Sequence, residues 1–463
     1  MRIGFYTLGC KVNQYETEAM KEKFIAAGHE IVGSLGEDDS LLVPADAYVI
    51  NTCTVTNMAD RKSRQFIRRA KKLNPDSIIA VVGCYAQVDP DAVSKIEGVD
   101  IILGTNEKIK IFEVLEKEFS ARSDGSAAPF IDIIPRDELS EYMSDGIIKA
   151  MESRTRAYIK IQEGCDRFCS YCIIPIARGP VRSRSEDEII EEARGLVAAG
   201  FKEIVLTGIN TALYGLERVA SASEGTSVDA IAGASTSTAL PPLRILLDKL
   251  AGIPGDFRIR LSSLEPNVMK AEDVLAIVGA EKLCHHLHLS IQSGSNNILK
   301  AMNRRYTREE YLDIVCALKD FDPYFAITTD IIVGFPGETE EDFRDSIELV
   351  KFAGLSKVHV FPYSARKGTV AAEMENQIDS EEKKRRAKIL SDVAEEVAAN
   401  FHDECLGKTV TGLFEEIHDE YMTGYTDNYI RIYAEKEESL LNELVSVELV
   451  ELHKDGVLAR PVI

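Results

Sequence analysis

Four cysteines of this 463-residue chain each follow a run of strand-forming residues. Cys10 follows IGFYTLG, Cys53 follows AYVINT, Cys84 follows IIAVVG and Cys165 follows AYIKIQE. Helical patterns separate these runs, which makes the strands parallel. Parallel strands of one sheet present their C-terminal ends along a single edge, where ligands bind. Cys10, Cys53 and Cys84 are 43 and 31 positions apart, yet that topology brings them together.

The same alternation divides the chain. In 1–118, strand runs end at Leu8, Thr52, Gly83 and Leu103, and helices follow from Asn13, Thr56, Asp89 and Glu107. This reads as a doubly wound parallel α/β domain. Residues 119–150, including SARSDGSAAPF, lose the pattern and read as a linker. Residues 151–380 resume it as six β/α units, on AYIKIQE, EIVLTG, RIRLSS, HLHLSIQ, AITTDIIVGF and KVHVFPY. The intervening helical stretches are 185–199, 242–250, 267–278, 307–319 and 339–353. Six units are too few for an eight-unit barrel but suit a partial, open one. Residues 216–240, rich in Ala, Ser, Thr and Gly, read as a flexible surface insertion. Residues 381–463 give a charged helix and short β-rich runs, which suggest a small antiparallel barrel.

CDRFCSYC places Cys165, Cys169 and Cys172 at C-x3-C-x2-C. A structural zinc needs four closed ligands, and no fourth Cys or His lies nearby in sequence. A 4Fe-4S cluster on three thiolates leaves one iron open, at the strand end where such barrels gather catalytic groups. A zinc knuckle with a distant fourth ligand is the alternative. For Cys10, Cys53 and Cys84 the alternative is three buried small hydrophobes. Nine cysteines without a signal-peptide pattern point to a reducing compartment, where clustered cysteines bind metal or do redox chemistry. No apolar run reaches the ~18 residues of a membrane span, so the expectation is a cytoplasmic protein without a membrane partner.

The C-x3-C-x2-C spacing ahead of six β/α units resembles the radical S-adenosylmethionine (SAM) superfamily. The resemblance implies that Cys165, Cys169 and Cys172 carry a cluster whose open iron holds SAM. It further implies that loops after successive strands bind SAM: Gly208 and Asn210, Ser262, Ser263 and Glu265, Gln292 and Ser293, and Gly334 and Glu338. With its N-terminal cysteines the chain resembles the methylthiotransferase family, where Cys10, Cys53 and Cys84 would hold a second 4Fe-4S cluster that carries sulfur. LGCKVNQYETE, NTCTVT, VVGCYAQ and GPVRSRS look like the branch acting on N6-threonylcarbamoyladenosine beside the tRNA anticodon (position 37). The implied reaction adds a methylthio group to carbon 2 of that adenine, with SAM and two 4Fe-4S clusters as cofactors and a TRAM-like terminal barrel. The alternatives are N6-isopentenyladenosine as substrate, or a radical SAM or iron–sulfur RNA-binding protein without sulfur insertion. The anticodon stem-loop is the expected partner, beside an unidentified electron donor and sulfur source.

A net charge of −22 argues against indiscriminate nucleic-acid binding, so RNA needs a local patch. RKSRQFIRRAKK (61–72) supplies one, with Arg61, Arg64 and Arg68 on a single helical face. Arg178, Arg182 and Arg184 add charge beside the cysteine triplet, and Arg304 and Arg305 are weaker candidates. The tail, 406–463, is acidic, with 12 acidic against 5 basic residues, which leaves Tyr421, Tyr425, Tyr429 and Tyr433 as its means of touching RNA by stacking. Cys284, Cys316 and Cys405 read as packing or surface residues. His285, His286 and His288 alternate on a strand and read as split between its faces.

Overall fold

A computed structural model of the chain describes residues 1–33, 43–121, 128–149, 151, 155–222, 240–266 and 269–462. Two units emerge. The first comprises Met1–Glu152, Glu163–Arg184 and Ser364–Ala372, and the second Ser153–Gln162, Ser185–Tyr363 and Glu373–Ile463.

The first unit is built on a parallel sheet of six strands: β1 (Arg2–Thr7), β2 (Glu30–Ile31), β3 (Ala47–Thr52), β4 (Ile78–Gly83), β5 (Ile101–Leu103) and β6 (Phe130–Asp132). Their order across the sheet is β2-β1-β3-β4-β5-β6. β3 and β4 are buried along their whole length. Alternate residues feed two cores: Ile3, Phe5, Val49 and Ala80 enter one, and Tyr6, Ile50, Ile79 and Val81 the other. That double coverage is why these strands are almost continuously apolar. Helix Asn57–Leu73 starts where the chain chemistry dictates, with the Thr56 hydroxyl accepting from the Ala59 N–H at 3.2 Å. One expectation changes. The stretch 119–150 is not all linker, because β6 lies within it and pairs with β5. Its FID is too short to show a period, and only the partner strand identifies it.

The second unit carries the six β/α repeats. Arg156–Lys160, Glu203–Thr207 and Arg258–Leu261 pair in parallel, and Ser263–Leu264, His286–Leu289, Ala326–Val333 and Lys357–Pro362 continue as a second parallel set. The third strand belongs to both sets and breaks only at Ser262, whose N–H still bonds the Leu206 carbonyl at 3.0 Å. The strands thus follow one another in chain order as an open, partial barrel. Of the proposed insertion 216–240, the helix Leu216–Ala222 and residue 240 are described, and 223–239 lie outside the described residues.

Helix Ser380–Glu404 leads to a closed five-stranded barrel, Thr409–Pro461. It is not wholly antiparallel: Arg431–Glu435 and Gly456–Pro461 pair in parallel. An odd number of strands cannot alternate direction all the way round a closed ring. The barrel seats on the N-terminal ends of the repeat strands. Arg258 donates to the carbonyls of Thr411 and Tyr425, and Arg260 to those of Thr426 and Asp427. Buried Glu203 pairs with both arginines at 2.6 and 2.8 Å.

Candidate functional site

The ends of β1, β3 and β4 carry three of the cysteines. Register places Thr7 beside Asn51 and Thr52 beside Gly83, so Cys53 and Cys84 leave adjacent strands at one level. Cys10 caps helix Lys11–Ala26 and Cys84 opens helix Cys84–Val88. Gly9, at φ +117°, lets the chain turn here, since a Cβ on it would stand 2.9 Å from the Cys53 Cβ. Cys53 and Cys84 are buried and Cys10 is exposed. Burial, with Cys84 and Cys10 nearby, pushes the Cys53 thiol up to about 12. Burial also raises the Cys84 thiol, and Arg178 and Lys108 pull against it.

The second trio lies in the segment after strand Arg156–Lys160. The Cys165 N–H bonds the Gly179 carbonyl at 3.0 Å, and the Cys172 N–H bonds the Cys169 carbonyl at 2.9 Å. Phe168, between these cysteines, is exposed, with the Arg136 guanidinium 5.0 Å from its ring centre. Both trios belong to the first unit, and helix Cys84–Val88 packs against helix Ile174–Arg178.

Arg178 joins them. Its side chain is 0 % exposed. It donates to Glu16 at 2.9 Å and Asn13 at 2.7 Å, both on the helix capped by Cys10. It also donates to Glu163 at 2.5 Å, two residues before Cys165. Lys108 pairs with the other Glu16 oxygen at 2.6 Å. Asn13 completes the connection, accepting from the Cys10 thiol at 3.7 Å and donating to the carbonyls of Leu8 and Thr52 at 2.8 and 3.0 Å.

This arrangement corrects the reading of Arg178, Arg182 and Arg184 as an RNA-facing group. All three are buried. Arg182 bonds the Arg178 carbonyl at 2.8 Å, and Arg184 bonds the Tyr15 hydroxyl at 3.0 Å. A carboxylate far away in sequence, Glu16, pairs the Arg178 charge that looks free in a basic run. On helix Asn57–Leu73, by contrast, Arg61 and Arg68 are exposed, while Arg64 is half-buried and reaches the Tyr85 hydroxyl at 3.2 Å.

The strand-end loops of the second unit form a polar group of their own. Asn210 and Glu265 exchange hydrogen bonds at 2.9 and 3.3 Å. Arg304 ties Glu265, at 2.6 Å, to the Ser290 carbonyl, which removes Arg304 from the RNA candidates. Gly208 passes close to Gln162, whose side chain accepts from the Asn210 N–H at 3.0 Å. Gln292 holds φ +75°, and its backbone bonds Asp330 and Ile332, with buried Ser293 beside it. Ser263 gives its carbonyl to Thr211 at 3.0 Å. The Ser262 hydroxyl is buried with no partner among the described residues, an unmet polar group that a ligand would satisfy. Glu338 is engaged within its own loop. Its carboxylate caps the Gly334 N–H at 2.7 Å and pairs with Arg386 at 2.6 Å, which fixes its own loop.

In the tail, Tyr429 stacks on His286 at 4.6 Å and lies under Arg260, and Tyr425 stacks on Tyr429 at 4.9 Å. Tyr433 is buried and bonds Asp455. Tyr433 is thus a packing element, whereas Tyr425 and Tyr429 are half-buried. His285, His286 and His288 bond Asp322, Thr328 and Asp330. Cys284 and Cys405 are buried and Cys316 is exposed.

One signal went unread in the sequence. Three of the six cysteines follow a glycine, at Gly9, Gly83 and Gly164, and all three glycines hold positive φ. A Cβ on Gly164 would overlap the Pro180 carbonyl oxygen.

A partial (β/α)6 barrel with a C-x3-C-x2-C segment after its first strand is the architecture of radical SAM enzymes. Residues 159–350 match the family described as the radical SAM superfamily, and residues 2–104 match the uncharacterized protein family UPF0004. The structure also resembles the radical S-adenosylmethionine methyltransferase TsrM from Kitasatospora setae, with a TM-score of 0.53 at 15% identity over 80% of this chain and 76% of that one. The chain is 41% identical to the threonylcarbamoyladenosine tRNA methylthiotransferase MtaB of Bacillus subtilis, over 97% of its own length and 94% of that protein. The MtaB of Aquifex aeolicus is 38% identical, over 94% of this chain and 97% of that protein. The tRNA-2-methylthio-N(6)-dimethylallyladenosine synthase of Acetivibrio thermocellus is 35% identical, over 96% and 87%. The chain belongs to the radical SAM methylthiotransferase family.

SAM and 4Fe-4S clusters are the cofactors of that family, and the donors present fit them. Each trio offers three thiols, and no competing carboxylate or imidazole ligand has to be invoked. Among the described residues no three Cys, His, Asp or Glu side chains stand ready-formed around one metal ion. No helix among the described residues is long and apolar enough to cross a membrane.

Proposed function

We propose that this chain is a cytoplasmic tRNA methylthiotransferase that adds a methylthio group to carbon 2 of N6-threonylcarbamoyladenosine at position 37. The observation that carries this reading is the packing of the helix opened by Cys84 against the helix that follows Cys172 within one unit. Cys165, Cys169 and Cys172 hold the cluster that binds SAM, and Cys10, Cys53 and Cys84 hold the one that carries sulfur. When bound, these groups supply a carbon radical and a sulfur donor, which an unactivated aromatic C–H requires and side chains cannot provide.

The protein's own residues position the reactants. Asn13 fixes Cys10 against the end of the Cys53 strand through its carbonyl contacts to Leu8 and Thr52. Arg178 holds the Cys10 helix to the segment that begins at Glu163. Asn210, Glu265 and Arg304 brace two strand ends, so the Ser262 hydroxyl beside them can meet SAM in a fixed loop. Arg61 and Arg68 offer exposed charge to tRNA phosphates on the helix that follows Cys53.

Nucleoside mass spectrometry of tRNA from cells with and without the chain tests the reading. The expected product is methylthiolated threonylcarbamoyladenosine. Methylthiolation of isopentenyladenosine instead would reassign the substrate, and an unchanged nucleoside profile would overturn the activity.

A further inference from the structure

The network around Arg178 is unusual in its charge balance. Two cations, Arg178 and Lys108, face two carboxylates, Glu16 and Glu163, and all four are buried. Full burial makes each charge costly unless compensated. Within these ion pairs two positive charges face two negative ones, and Cys84 stands close enough for its charge to act on Arg178. Loss of one member leaves an uncompensated charge in a low-dielectric region, where it acts strongly on its neighbours. The nearest connection to a thiol is short: the Asn13 side-chain oxygen accepts from both Arg178 and Cys10. Cys84 opens the helix that packs on the one ending at Arg178.

We propose that Arg178 is a positioning residue that sets the reduction potential of the N-terminal cluster while joining the two cysteine-bearing segments. This rests on the reading that Cys10, Cys53 and Cys84 hold a 4Fe-4S cluster. The sign follows from the charges. An electron added to a cluster is stabilised by a nearby cation and opposed by a nearby anion. Arg178→Met leaves Glu16 and Glu163 against Lys108 alone, a net negative neighbourhood. Glu16→Gln leaves the opposite imbalance.

The test uses the full chain with Cys165, Cys169 and Cys172 replaced by alanine, so that only the N-terminal cluster remains. Its midpoint potential is read by redox titration with electron paramagnetic resonance. Arg178→Met is expected to shift the potential to more negative values, Glu16→Gln to more positive values, and Arg178→Lys to return it close to the parent. Shifts of the same sign in the Met and Gln variants, or none, would overturn the proposal, because a purely structural role has no reason to respond with opposite signs. Should Arg178→Met fail to fold, Glu16→Gln and Glu163→Gln carry the test, and an unmoved potential in both overturns it. A parent chain that binds no iron fails at the earlier step and overturns the two-cluster reading as well.

Discussion

Arg366 forms a 2.6 Å ion pair with Asp60, 306 positions away in sequence. The same guanidinium donates to the Thr54 hydroxyl at 2.6 Å and the Asn57 side chain at 2.5 Å. Five residues on, the Ala371 N–H bonds the Ser170 carbonyl at 2.7 Å. Segment Ser364–Ala372 therefore fastens the loop after Cys53 to the loop that holds Cys169 and Cys172. Arg366→Met should cost about 3–5 kcal/mol, since it strands a mostly buried carboxylate. Asp60→Asn, which keeps a hydrogen-bond acceptor for Arg366, should cost less. Chemical denaturation of the full chain measures both, and equal stability of Arg366→Met and the wild type would show that the strap adds nothing.

Gly164→Ala tests the turn that delivers Cys165. Position 164 has φ +74°, and a Cβ there meets backbone that cannot move aside. Strain of about 1–3 kcal/mol falls on a single loop. The expected outcome is a folded chain whose iron content drops from about eight per chain toward about four. Retention of the full complement would show that the turn tolerates a side chain.

How much of this could be read before the structure depended on range. Cys10, Cys53 and Cys84 were legible because each strand that precedes them is a local pattern, and parallel topology does the rest. The six repeats and the terminal helix were legible for the same reason. Strand Phe130–Asp132 was not, because three residues carry no period and its identity comes from pairing with Ile101–Leu103. Arg178 misled because its partner stands elsewhere, Glu16 being 162 positions away, and Arg182 because burial against the Arg178 carbonyl leaves no mark in a basic run. The packing of Tyr429 was out of view likewise, as the His286 and Arg260 beside it belong to the repeat strands.

Cys84→Ala separates the two proposed clusters by function. It removes a thiol of the N-terminal trio and leaves Cys165, Cys169 and Cys172 in place. The variant should still cleave SAM reductively, read as 5′-deoxyadenosine, while methylthiolated nucleoside disappears. Continued product formation would sink the sulfur-carrying role of the trio.

The basic helix makes a separate prediction. Arg61 and Arg68 are exposed, whereas Arg64 is partly engaged with Tyr85, so the first two are the better probes. Arg61→Glu with Arg68→Glu should weaken tRNA binding. It should also reduce the slope of log affinity against log salt by about 0.7–0.9 for each phosphate that is no longer neutralised. A variant with wild-type affinity and slope returns this face to ordinary solvation.

Acid sensitivity at the barrel seat follows from Glu203. Burial raises its carboxyl, but Arg260 and Arg258 outweigh burial and hold it well below the usual carboxylate range. A folded-state value below the unfolded one, about 4.3, stabilises the protein fully above that pH. The contribution is lost as pH falls from there toward the depressed folded value. Glu203→Gln should therefore be less stable than the wild type at pH 7, by roughly 3–5 kcal/mol for a broken buried pair. Below pH ~4 the two should converge, by up to about 1.4 kcal/mol per pH unit. Carboxylates away from this seat titrate alike in both proteins, and Glu415, whose carboxyl burial and the Glu203 charge push up, is the neighbour whose titration changes with it. Curves that stay parallel down to pH ~2 would mean that Glu203 does not hold the barrel to the repeat strands through its charge.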